Sequence, residues 1–144
     1  MQDVTKKRID RYNKQYENFE KQMRQETGEG IKETIKAIDT YNQQRLEEAK
    51  EQVEKSPTSL NYFRLGHEYR NIEEYEKAVF SYTKAIALDE KDAKAYNNRG
   101  ETYYVLEKYE EALKNMEALE KVYRRFPKDP IIKGLYQANH SKFI

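Results

Sequence analysis

Residues 62–82 read YFRLGHEYRNIEEYEKAVFSY, and residues 96–116 read YNNRGETYYVLEKYEEALKNM. Laid over one another, Tyr62, Gly66, Tyr69, Glu73, Tyr75, Glu76 and Ala78 recur as Tyr96, Gly100, Tyr103, Glu107, Tyr109, Glu110 and Ala112, each displaced by 34 residues. A fixed period of that size predicts a helical repeat. In the first copy Tyr62, Gly66 and Tyr69 fall at i, i+4 and i+7 and share one helix face, while Ala78 and Tyr82 stand four apart on a second helix. Each copy therefore reads as two antiparallel helices. Glycine inside a helix costs about 1 kcal/mol relative to alanine, so Gly66 and Gly100 require a packing reason. Ala78 and Ala112 supply one, because paired small residues let two helices approach closely.

At these residues the chain resembles the tetratricopeptide repeat, whose pattern is an aromatic, Leu-Gly, Tyr, then Ala, an aromatic four later, and Pro. The first copy gives Tyr62, Leu65, Gly66, Tyr69, Ala78 and Tyr82, with Glu90 in the proline slot. The second gives Tyr96, Gly100, Tyr103, Ala112 and Met116, with Arg99 in the leucine slot and the proline delayed to Pro127. Tyrosine fills both tryptophan slots, in a chain with 13 Tyr and no Trp. The resemblance covers about residues 59 to 127. It implies an all-α, right-handed helical-repeat solenoid, in which the first helix of each repeat lines a concave groove for extended peptides or partner helices. Carried over by position, the groove residues are Phe63, His67, Arg70 and Asn71 from the first copy and Asn97, Asn98, Glu101 and Tyr104 from the second. One subtype grips a terminal carboxylate with Lys and Asn in its first repeat, Asn in its second, and Lys and Arg in a third. Here Phe63 and His67 stand where that Lys and Asn belong, Asn98 is kept, and a full third repeat is missing, so the clamp is not expected.

Composition agrees with a thin helical array. Of 144 residues, 37% are hydrophobic and 37% charged, and five Gly with three Pro leave little loop material. There is no cysteine, which removes disulfides, thiolate metal sites and thiol nucleophiles. The first 24 residues never string together the apolar core of a signal peptide, and no run approaches a membrane span. The expected location is the cytoplasm, or outside the cell if a signal has been removed. Net charge is +1, spread as +3 over residues 1–24, −7 over the middle and +5 over residues 121–144.

Upstream of the repeats, Ile9, Tyr12, Tyr16, Phe19 and Met23 step by 3, 4, 3 and 4, the seam of an amphipathic helix or short coiled coil. Thr27, Gly28, Glu29 and Gly30 read as a helix stop. A second helix from Ile31, with Ile35, Ile38, Tyr41, Leu46, Ala49 and Val53 on its apolar side, ends before Ser56 and Pro57. Residues 1–56 are thus expected to form a helical pair, either a hairpin folded on the repeats or helices that pair with another chain. The repeats occupy 57–128, as 59–92 and 93–127. Residues 129–144 form a capping helix, with Asp129 as N-cap and Pro130 as its first residue. The sum is about seven helices, ending on the apolar Phe143 and Ile144.

An enzyme has almost no support: His67 and His140 are far apart, and no Gly-rich phosphate loop, HExxH or nucleophile elbow occurs. Neither a metal nor a cofactor is expected. The function this reading supports is a non-enzymatic adaptor that binds a protein or peptide. Nucleic-acid binding is the runner-up, through Arg124, Arg125, Lys128 and Lys133 beside Tyr123, Phe126 and Tyr136, but the acidic centre repels phosphate. Self-assembly through the N-terminal helices is the third reading.

Overall fold

A computed structural model of the protein describes residues 2–143, and the side chains of 3–141. The described residues form six helices and no strand: α1 (Gln2–Lys55), α2 (Ser59–Asn71), α3 (Tyr75–Leu88), α4 (Ala93–Val105), α5 (Tyr109–Arg125) and α6 (Pro130–Phe143). The chain divides into two compact units at the Tyr41–Asn42 boundary. The expected apolar ending at Phe143 and Ile144 lies outside the described side chains.

The first unit is helical throughout its described length, and this corrects the expected turn at Thr27–Gly30. Neither glycine adopts a positive φ, so neither supplies the left-handed residue that a glycine stop requires. The neighbouring threonines sit within the continuous helix, Thr27 Oγ1 donating to the Met23 carbonyl at 2.8 Å and Thr34 Oγ1 to that of Gly30 at 2.9 Å. Two glycine penalties are absorbed by a long run of strong helix formers. The N-terminal hairpin is therefore absent, and six helices replace the expected seven or so.

In the second unit α2 packs on α3, α4 on α5 and α3 on α4, so two helical hairpins stack side by side. Leu46 and Ala49, from the last turns of α1, pack on Leu65 and complete the near end. Ala85, Ile86 and Ala95 join the hairpins, with Tyr62, Phe63 and Tyr96 half-buried around them. At the far end Ile132 of α6 packs on Leu119 and Ala93. Asp129 Oδ1 accepts from the Ile131 and Ile132 amides at 2.9 and 3.2 Å, the N-cap that Asp129-Pro130 predicts. Thr58 and Asp92 cap α2 and α4 in the same way. As the late Pro127 foretells, α5 runs 17 residues against 14 for α3.

The period of 34 is visible in the backbone. Glu73 and Glu107 hold φ of 62° and 59° at equivalent positions. The amides of Glu73 and Glu74 reach the carbonyls of Arg70 and Tyr69, and those of Glu107 and Lys108 reach Tyr104 and Tyr103. Both are Schellman endings, with glutamate where glycine is usual.

The glycines do let the helices of each hairpin nest, but the alanines are not their main partners. A β-carbon on Gly66 would stand 2.7 Å from Cδ1 and Cε1 of Tyr82. One on Gly100 would meet Asn115 Cβ at 3.1 Å, the Ala112 carbonyl at 3.7 Å and Met116 Sδ at 3.9 Å. Tyr82 and Met116 occupy the same slot of the repeat.

Candidate partner-binding face

The eight residues expected to face a groove fall into three groups. Arg70 of α2 and Glu101 of α4 form an ion pair, Nη2 to Oε2 at 3.0 Å, which ties the first helices of the two repeats together. Both are half-buried. Beneath them lies the fully buried Tyr82, its ring 5.7 Å from that of Phe63. Burial pushes the Tyr82 hydroxyl up to about 12, a rise that Arg70 partly offsets and that Glu101 and Glu68 reinforce.

His67 and Asn71 are exposed on α2, and Tyr104 is exposed on α4, where its ring meets Tyr109 edge-on at 5.4 Å. Phe63 and His67 also line a cleft of about 560 Å³ shared with the last turns of α1, whose floor is Ala49 and whose rim carries Arg45, Arg64 and Glu48. This end of α1 packs on α2 without covering His67. Glu68 is buried in the same region at 3% exposure, accepting from Arg45 Nε at 3.0 Å and from Asn71 Nδ2 at 3.5 Å. A buried acid that holds its neighbours in place has no signature in the local sequence, and Glu68 escaped the reading.

Asn97 breaks with its expected place. It is 8% exposed, and its Oδ1 accepts a hydrogen bond from Nδ2 of the buried Asn139 on α6. The capping helix has covered the position that repeat geometry assigns to the groove. Asn98 stays half-exposed and accepts from Asn97 at 3.4 Å.

Arg99, the misfit in the leucine slot, is accounted for by contacts on three helices. Its Nε donates to Asn115 Oδ1 at 2.7 Å, Nη1 donates to Thr83 Oγ1 at 3.2 Å, and the guanidinium lies 5.7 Å from the centre of the Tyr96 ring. Burial lowers its pKa from the ordinary guanidinium value.

On another side of the repeats, a second groove of about 820 Å³ runs between the end of α3 and α5, past Leu88, Tyr96, Lys114, Lys121, Arg125 and Phe126. The 3–4 spacing of Lys114, Ala118, Lys121 and Arg125 was the available signal for it. Several members of the basic and aromatic C-terminal patch make internal contacts: Arg124 pairs with Glu120 at 2.6 Å, Arg125 and Lys91 lie over the Phe126 ring, and Tyr123 stacks on Tyr136 at 4.4 Å. Among the described residues no cluster of three metal-ligating side chains occurs, and no helix is long and apolar enough to cross a membrane.

Comparison with known proteins agrees with this architecture. Residues 66–106 match the family model described as TPR repeat, and residues 93–128 match the one described as Tetratricopeptide repeat. No curated protein matches the sequence. Among solved structures, a chain of the CopN-Scc3 complex superimposes with a TM-score of 0.64 at 21% identity, covering 75% of this chain and 62% of that one. MamA gives 0.52 at 24% identity, covering 67% and 56%. The second TPR domain of the human RPAP3 protein, solved in complex with the HSP70 peptide SGPTIEEVD, gives 0.54 at 23% identity, covering 69% and 82%. This chain thus spans less than two thirds of the first two, and at these identities the likeness is one of fold. What the geometry and the matches define is an all-α helical-repeat module. Its repeats, across residues 66–128, are the part of the chain that matches tetratricopeptide-repeat models.

Proposed function

We propose that the protein is a non-enzymatic adaptor whose docking face is built by α2 and α4. The observation that carries this reading is the Arg70–Glu101 ion pair. It joins the first helices of successive repeats, so that His67 and Asn71 on one side and Asn98 and Tyr104 on the other belong to one surface. The partner is an extended peptide or a helix of another protein. Phe63 offers an apolar seat beside the α1–α2 cleft, Tyr104 offers an exposed ring, and Asn71 and Asn98 offer amides to a partner backbone. Arg45, Arg64 and His67 stand beside Glu48, Glu51 and Glu68 in that cleft, which disfavours a partner chosen by one sign of charge. Asn97 has no part in this face, because Asn139 occupies it.

Selection from a displayed peptide library against the intact chain, followed by amide-exchange footprinting of the best binder, tests the proposal. Protection concentrated on α2 and α4 is expected. Protection confined to α5 and the α3–α4 turn would reject this face in favour of the groove beside α5.

A further inference from the structure

Between Ile9 and Ile38, one side of the first unit carries Ile9, Tyr12, Tyr16, Phe19, Met23, Ile31, Ile35 and Ile38, each between 43% and 68% exposed. With Thr27 filling the slot between Met23 and Ile31, the stripe advances by about 3.6 residues per step, the pitch of a straight α-helix, so it stays on one side instead of winding around. Helices in water draw most of their stability from packing an amphipathic face, and an apolar patch of this length marks an interface. We propose that a second copy of this chain covers it, the two α1 helices packing antiparallel about a dyad between Met23 and Arg24.

Two independent features select that partner and that direction. The first is charge: residues 3–24 carry +3, whereas residues 25–41 carry −2, with Glu26, Glu29, Glu33 and Asp39 against Lys32 and Lys36. An antiparallel pair sets each basic half beside an acidic one, and a parallel pair sets like beside like. The second is shape. About that dyad Ile9 falls opposite Ile38, Tyr12 opposite Ile35, Tyr16 opposite Ile31, and Phe19 opposite Gly28, where even a β-carbon would meet no neighbouring group within 4 Å. Each ring thus meets a smaller side chain of the other stripe: Tyr12 and Tyr16 meet isoleucines, and Phe19 meets a glycine. Parallel pairing would put Tyr12, Tyr16 and Phe19 each level with the same ring of the other copy. This pairing is independent of the docking face on α2 and α4.

The experiment is sedimentation of the full chain, combined with cysteine cross-linking, which the cysteine-free sequence permits without background. A mass of twice 17.3 kDa is expected. Phe19→Asp with Ile35→Asp should return the monomer mass while leaving the thermal transition of the repeats unchanged. Under mild oxidation, Ile9→Cys alone should give no covalent dimer, whereas Ile9→Cys mixed with Ile38→Cys should give one. A monomer at every concentration, or a dimer that persists in the aspartate variant, overturns the proposal. So does a covalent dimer of Ile9→Cys alone, which would signal parallel pairing. A monomer that co-sediments with vesicles of phosphatidylserine and phosphatidylcholine would instead assign the stripe to a membrane surface.

Discussion

Gly66 lies against the ring of Tyr82, so close that a β-carbon would stand 2.7 Å from two ring carbons. The ring is fully buried and has nowhere to retreat. Gly66→Ala is therefore expected to destabilise the repeats by about 1–3 kcal/mol, overpacking outweighing the better helix propensity of alanine. Gly134, exposed on α6, where an added β-carbon would meet no neighbouring group within 4 Å, is the control: Gly134→Ala should stabilise by up to about 1 kcal/mol. Urea melts of the two variants should move in opposite directions. Loss of stability in neither would remove the close approach from the account.

Glu73 and Glu107 end α2 and α4 in the left-handed conformation, where a β-carbon is costly. Glycine there relieves the strain but is freer in the unfolded chain, and the balance favours it by about 0.5–1 kcal/mol. Glu73→Gly and Glu107→Gly should each raise the melting temperature, by similar amounts because their hydrogen bonds are equivalent. Calorimetry of each single variant checks this.

Arg99 and Asn115 join α4 to α5 through a 2.7 Å bond. Arg99→Ala leaves the buried Asn115 without that donor and should cost about 1–3 kcal/mol. A double-mutant cycle with Asn115→Ala is expected to show a coupling of about 1 kcal/mol. Strict additivity would mean that the two side chains act separately.

Tyr82 makes the folded protein sensitive to alkali. Its neutral form is the protonated one, and its pKa is raised from 10.0 to about 12. Above pH 10 the unfolded chain releases this proton while the folded chain keeps it. Stability from this group is therefore complete below pH 10 and declines as pH rises towards 12, by up to about 2 kcal/mol. The hydroxyl lies near the Arg70 guanidinium without a well-formed hydrogen bond, so Tyr82→Phe should cost little at pH 7. Between pH 10 and 12 the variant should lose less stability than the parent. Parallel profiles would show that Tyr82 is not the group responsible.

The repeats were legible because their signals are local. Tyr62, Gly66 and Ala78 recur at a fixed distance, and Pro57, Asp92, Asp129 and Pro130 act on backbone within a turn of themselves. What escaped depends on distant partners or on sums. Gly28 and Gly30 look like a stop, yet a glycine ends a helix only if the chain takes a positive φ, and the surrounding helix formers outweigh both. Asn97 reads as a groove residue until Asn139, 42 residues later, is folded over it. Glu68 has nothing in its neighbourhood to announce that Arg45 will bury it, and Arg99 makes sense only once Thr83 and Asn115 stand beside it. The stripe from Ile9 to Met23 was legible as a seam, but its continuation to Ile38 was hidden by the turn read between them.

The central claim is that a partner docks on α2 and α4. Its most direct test is the affinity of a library-selected peptide for the intact chain and for a His67→Ala, Asn71→Ala, Tyr104→Ala variant, all three being exposed side chains. Binding in that variant is expected to weaken at least about tenfold, or 1.4 kcal/mol, with an unchanged melting temperature. Unchanged affinity in that variant, together with loss of binding in Lys121→Glu, Arg125→Glu, would contradict it.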